Sequence, residues 1–176
     1  TSRSFGEMVS DLPSLKASVA SFASSCANKL RGQNAGARSV TVFICSNRFR
    51  DDLPQYGNSA TYTFITPTSD TLEITSTALN LLKQIYRPGI QYKKSGVIVS
   101  DIVSMSMLQM NLFDPIHNRK ERSDLMKAID VINHRYGLKT IKLLAEGEKE
   151  QKWKVKCEHR SQNYLTDINE ILTVKI

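Results

Sequence analysis

The chain has 176 residues, 40% hydrophobic and 23% charged, enough for one ordinary domain or two small ones. No run of about 18 apolar residues occurs and the amino terminus lacks the basic-then-apolar layout of a secretion signal, so neither a membrane-spanning helix nor membrane binding is expected. Lys and Arg number 24 against 17 Asp and Glu, a net charge of +7 that favours an acidic partner, nucleic acid being the commonest.

Cys26, Cys45 and Cys157 stand apart in unlike contexts, which suggests neither a disulfide framework nor a four-cysteine metal site. A reducing cytoplasm is the expected location. The chain opens Thr-Ser-Arg-Ser-Phe-Gly with its first methionine at Met8, as a piece cut from a longer protein would. The 11 basic and 7 acidic residues up to residue 110, and the 13 and 10 after it, spread the charge over both halves.

Thr1–Phe5 reads as a short strand ended by Gly6. Asp11 can cap a helix whose first turn accepts Pro13. Leu15, Val19, Phe22, Cys26 and Leu30 recur along one face of that helix, and Gly32 ends it. From Arg38 to Ser46 the pattern changes to alternation, with Val40, Val42 and Ile44 on one face of a strand and Thr41, Phe43 and Cys45 on the other. A loop from Asn47 to Ser59 carries Arg48, Arg50, Asp51, Asp52 and Pro54, then leads through Gly57-Asn58 into a second alternating run, Ala60–Thr66. The two runs pair as an antiparallel hairpin. Pro67 closes the second, one of Thr68, Ser69 or Asp70 caps a helix bearing Ile74, Ala78, Leu81 and Ile85, and Pro88-Gly89 breaks it. Lys93-Lys94-Ser95-Gly96 then introduces the short apolar strand Val97-Ile98-Val99.

Strand, helix, strand, strand, helix, strand is the split βαβ arrangement of ferredoxin-like folds, an α+β class with a four-stranded antiparallel sheet covered by two helices on one face. The architecture hosts many functions, so the cations carry more information. Arg3, Arg38, Arg48, Arg50, Lys93 and Lys94 lie at strand starts or in adjoining loops, around a sheet, as binding of a phosphate backbone requires. For any one of them the ordinary explanation is a solvated edge residue that discourages sheet-to-sheet association; six near one sheet weaken that explanation.

Beyond the last strand, Gln109-Met110-Asn111-Leu112-Phe113 precedes Asp114-Pro115, which stops regular structure. It reads as an extended peptide with one glutamine and two adjacent apolar anchors, a composition that suits docking into a partner's pockets. Further on, Ser123 or Asp124 can begin a helix with Leu125, Ile129, Ile132 and Tyr136 on one face, ended by Gly137. Thr140–Ala145 reads as a short strand, and Lys152–Glu158 alternates, with Trp153, Val155 and Cys157 inward and three lysines outward. Cys157 and His159 share a face, but two ligands do not make a zinc site, and no metal site is expected.

Taken together, Ser2-Arg3-Ser4-Phe5-Gly6, Arg38-Ser39-Val40-Thr41-Val42, Thr66-Pro67-Thr68-Ser69-Asp70-Thr71, Tyr92-Lys93-Lys94-Ser95-Gly96-Val97 and Gln109–Asp114 resemble the carboxy-terminal part of the UmuC family of Y-family translesion DNA polymerases. The likeness is strongest over residues 1–115 and looser around Tyr164-Leu165-Thr166-Asp167 and Ile171–Val174. It implies a little finger DNA-binding domain over residues 1–104, a linker over 105–118 holding a sliding-clamp motif at Gln109, Met110, Asn111, Leu112 and Phe113, and a small helix-plus-hairpin module over 119–176. Met110 stands where leucine is more usual, and its adaptable side chain suits an apolar pocket. The resemblance also implies contacts to duplex primer-template DNA from Ser2, Arg3, Ser4, Arg38, Arg48, Arg50, Lys93 and Lys94, and a role in the SOS response to DNA damage. Further implied partners are a processed UmuD-type subunit and RecA. The family's catalytic carboxylates and their Mg2+ belong to a palm domain upstream of Thr1, so no catalytic residue and no cofactor is expected within these 176 residues. Asp51-Asp52 reads as a solvated turn instead.

Two other readings fit the topology. A stand-alone RNA-binding module would need exposed aromatics on central strands, for which Phe43 and Phe64 are candidates. A protein-interaction domain would carry its basic charge incidentally.

Overall fold

The computed structural model describes residues 1–107, 114, 116–147 and 153–154. Strand β1 (Ser2–Val9) leads to helix α1 (Leu12–Gly32), whose first free amide is met by the carboxylate of Asp11, accepting from the Ser14 N–H at 2.8 Å. Strands β2 (Ala35–Ser46) and β3 (Gly57–Thr68) form the hairpin, helix α2 (Thr71–Ile85) starts on the Asp70 cap, and β4 (Tyr92–Ser104) completes the sheet. All pairings are antiparallel and the spatial order is β1-β4-β2-β3. The last strand is thus central, and each helix crosses over a neighbouring strand instead of joining adjacent ones.

The predicted α+β fold, with both helices on one face of a four-stranded antiparallel sheet, is the fold observed. Leu15, Val19, Phe22 and Leu30 of α1 and Ile74, Ala78, Leu82 and Ile85 of α2 are buried against Val40, Val42, Ile44 and Val97. Two hydroxyls enter this layer as a pair: Ser18 Oγ on α1 and Ser95 Oγ on β4 lie 3.0 Å apart, and Ser18 also donates to the Leu15 carbonyl.

Several boundaries differ from the sequence reading. Gly6 does not end β1; it sits within a pairing irregularity between Ser4 and Val9, and the strand continues to bury Val9. Pro67 lies inside β3, where the pairing with β2 also shifts. Strand β4 has 13 residues, far more than the apolar triplet Val97-Ile98-Val99, because neighbours on both sides satisfy its backbone groups.

The expected strand Thr140–Ala145 does not form. Asn133 satisfies both backbone groups of Ile141, donating from Nδ2 to its carbonyl at 2.9 Å and accepting its N–H at 2.8 Å, and a 3₁₀ turn follows at Leu144–Glu146. Trp153 is buried edge-on against Phe22, ring centres 5.5 Å apart, as its inward assignment requires, but it sits in a turn together with Lys154. The rest of the predicted strand to Glu158, Cys157, His159 and the stretches after Tyr164 lie outside the described residues.

Helix α3 (Arg119–Tyr136) begins four residues before Ser123, and its inner face is rotated from the expected one, with Ile129 and Ile132 half-buried at its margin. Leu125 and Tyr136 are 50% and 67% exposed, whereas Met126 is buried. The docked face carries Arg119, Arg122, Met126 and Asp130, spaced three, four and four, and three of these four make ion pairs. Arg31 of α1 holds Asp130 at 2.6 Å, Arg119 bridges Glu73 of α2 at 3.0 Å and also binds Asp114, and Arg122 binds Asp70. A search for apolar periodicity alone misses such a face.

Hydrogen bonding by Arg119 holds the Asp114 carboxyl well below the usual carboxylate range. Because the folded-state value is depressed, the stability it contributes is complete above the unfolded carboxyl range near about 4 and is lost as pH falls below it. Arg119→Ala leaves Glu73 and Asp114 facing each other with little solvent and is expected to destabilise the fold by about 3 kcal/mol at neutral pH. It should also flatten the acid limb of stability between roughly pH 4 and pH 2, as measured by urea titration across pH.

Candidate nucleic-acid interface

Alternation along the strands sends one set of side chains to the helices and the other to the uncovered face. In register across that face stand Ser2 and Ser4 of β1, Lys94, Gly96 and Ile98 of β4, Thr41, Phe43 and Cys45 of β2, and Gly57, Ser59 and Thr61 of β3. Hydroxyls dominate it, as the Thr41 Oγ1–Thr61 Oγ1 pair at 2.8 Å illustrates. The face is kept low at its centre by glycine. A Cβ at Gly96 would lie 2.4 Å from the Phe43 ring and 2.6 Å from Ser2 Cβ, so the ring lies across the strand there.

Cations gather at one end. Lys94 Nζ lies 5.8 Å from the centre of the Phe43 ring, and Lys94, Arg48, Cys45, Asn58 and Ser59 line one shallow depression. The loop that presents Arg48 is fastened from inside. Gln55 Nε2 donates to the carbonyls of Asn47 and Arg50 at 3.0 and 2.8 Å, and the Tyr56 hydroxyl donates to the Ile85 carbonyl of α2 at 2.6 Å.

The structure separates the cations that the sequence grouped. Ser2, Ser4, Lys94 and Arg48 come together on the open face. Lys93 falls at the register shift between Lys94 and Tyr92, where strict alternation breaks, and its ammonium donates to the Phe5 carbonyl at 2.7 Å. Arg3 pairs with Ser95 on the edge strand, out of phase with Ser2 and Ser4. Arg50 is matched within its own loop by Asp52, 2.6 Å away, whose acceptance of the guanidinium protons raises the Arg50 pKa while the Asp52 carboxyl is lowered. Arg38 is exposed at the far end, in register with Asp101, whose backbone is left-handed at φ 52° and whose carboxylate accepts a 2.7 Å bond from Ser39. Gln109 to Phe113 lie outside the described residues.

Sequence reasoning did not single out Thr41, Ser59 and Thr61, the hydroxyl rows beside the cations, nor Phe49, which stands 95% exposed between Arg48 and Arg50. The hydroxyls were signalled by the period of two in β3, where Ser59, Thr61 and Thr63 alternate with Ala60, Tyr62 and Phe64. The two aromatic candidates for base stacking part company: Phe64 is 4% exposed in the core, and Phe43 lies half-buried beneath Lys94.

The sheet thus shows hydroxyls, an amine and the half-exposed Ile98 on one face and packs its other face under the helices. Comparison with known proteins gives the class. Residues 1–112 match the impB/mucB/samB family C-terminal domain, and residues 123–174 match the domain of unknown function DUF4113. The chain belongs to the impB/mucB/samB family, as its carboxy-terminal part. Among individual relatives, it is 37% identical to Protein UmuC of Salmonella typhimurium over 99% of its own length, and 34% identical to Protein ImpB and Protein SamB of the same organism over 97% and 99%. These alignments cover 41%, 40% and 41% of the relatives, so the chain spans about two fifths of their length.

The contact at Gly96 yields a test. Gly96→Ala is expected to cost about 1–3 kcal/mol in urea unfolding, because the Phe43 ring and Ser2 must move aside. Adding Phe43→Ala should recover part of that loss, giving a coupling of at least about 0.5 kcal/mol in a double-mutant cycle.

Proposed function

We propose that the chain is the non-catalytic carboxy-terminal part of an error-prone translesion DNA polymerase of the DNA-damage (SOS) response. Its open sheet lies along the backbone of duplex primer-template DNA and holds it without reading sequence. The observation that carries this is the clustering of Lys94 and Arg48 with the hydroxyls of Ser2, Ser4 and Ser59 on the uncovered face of a chain belonging to the impB/mucB/samB family. Ammonium, guanidinium and hydroxyl groups donate to phosphate oxygens and carry no base code. Indifference to sequence suits an enzyme that must pass damaged bases.

In this reading Mg2+ and the carboxylates that hold it belong to a palm domain, and this portion supplies grip and tethering. Gln109, Met110, Asn111, Leu112 and Phe113 form the peptide that docks on the sliding clamp, where a weak contact raises the effective concentration of the polymerase at the primer end. A processed UmuD-type subunit and RecA are further partners, and the cytoplasm is the place of action. The burial of Phe64 and the covering of Phe43 by Lys94 speak against the RNA-binding alternative.

Lys94→Ala should weaken duplex binding for every sequence and lower the slope of log affinity against log salt by about 0.9, one phosphate contact's worth, in a fluorescence-anisotropy titration. Lys93→Ala, which removes a cation already held by the Phe5 carbonyl, should change that slope much less. Equal slopes for wild type and Lys94→Ala would count against the phosphate role, and preference for single-stranded RNA would overturn the reading.

Replacing Leu112 and Phe113 together by Ala should abolish binding of the chain to the sliding clamp in calorimetry while shifting the melting temperature by no more than about 2 °C. A larger fall in melting temperature would place the pair in a core.

A further inference from the structure

The loop between β2 and β3 contains a feature that phosphate binding does not use. Phe49 is 95% exposed at the tip, its ring given to solvent, yet the backbone beneath it is fixed. The Phe49 N–H donates to Asn47 Oδ1 at 3.1 Å, the Arg50 N–H to the Asn47 carbonyl at 3.2 Å, and Gln55 fastens the loop from below. A single exposed apolar side chain is ordinary on any surface. This one is a whole aromatic ring on a braced turn, flanked by Arg48, which lines the cationic depression, and by Arg50, which Asp52 holds in place.

We propose that Phe49 is a stacking platform for an unpaired nucleobase of the DNA held on the open face; this rests on the duplex-binding reading above. A phenyl ring has no donor or acceptor, so it takes any base, and the braced loop means little ordering is left to occur on contact. Arg48 beside it supplies the cation for the phosphate of the same nucleotide. Bases inside a duplex are stacked and paired, and exposing one costs a few kcal/mol, so the ligand chemistry that fits is a nucleotide already unpaired, as in a template overhang or a gap.

The test compares a blunt duplex with the same duplex carrying an unpaired template overhang, using wild type, Phe49→Ala, Phe49→Trp and Arg48→Ala. Wild type should bind the overhang substrate more tightly. Phe49→Ala should lose that preference, with affinity for the overhang falling roughly 5- to 50-fold, the range of one aromatic–base stack, and affinity for the blunt duplex unchanged. Its salt slope should match wild type, since no ion is released at a phenyl ring, whereas Arg48→Ala should lower the slope. Phe49→Trp should retain the preference. Equal affinity of wild type and Phe49→Ala for the overhang substrate, or an equal loss on both substrates, overturns the proposal while leaving the duplex reading intact. Failure of wild type to bind duplex DNA in a salt-dependent way overturns both.

Discussion

The fold depends on β4 lying between β1 and β2 with hydrogen-bonded partners on each side. That position fixes parity for the whole sheet. With Val97 buried toward the helices beside Val42, and Val99 packed beside Val40, the intervening residues Lys94, Gly96 and Ile98 have only the uncovered face left to them. A one-residue slip would send Lys94 into the core and Ser95 away from Ser18, so packing beneath the sheet dictates which groups it offers above. The covered face and the open face of the sheet are two readings of one register.

Much of this was legible from the chain because it is local. Asp11 and Asp70 announced their helices, the rows from Leu15 to Leu30 and from Ile74 to Ile85 gave the covered face, and Val40, Val42 and Ile44 set the alternation of β2. The spatial order of strands was not legible, since nothing near β4 in sequence says that it enters between β1 and β2. The separation of Lys93 from Lys94 was not legible either, because Lys93 falls at the register shift that β4 makes against β2 beyond Lys94. Arg50 and Asp52, two apart in a turn, by contrast form a local pair. What could not be read was the Gly96–Phe43 contact, which exists only once β2 and β4 are aligned.

Helix α3 shows a different limit. Its docked face is chosen by Arg119, Arg122 and Asp130, which meet Glu73, Asp70 and Arg31 on the two sheet-covering helices. Charges are ordinarily read as solvated, and here they are contacts. Such pairs contribute little net stability compared with apolar packing, but they tolerate only one arrangement of partners, so they fix where a helix rests more than how firmly. The Asp70 carboxylate shows the economy of the arrangement: one oxygen caps α2 and the other accepts from Arg122.

The same contacts bear on the stretch between β4 and α3. On one side, the Met105 N–H is bonded to the Asn34 carbonyl at 3.0 Å; on the other, Asp114 is clasped by Arg119, which is itself clasped by Glu73. Asn34 follows α1 and Glu73 lies in α2, so the two helices that cover the sheet also hold Met105 and Asp114. A change that loosens either helix is therefore felt beyond the sheet, at the end of β4 or at the residues that lead into α3.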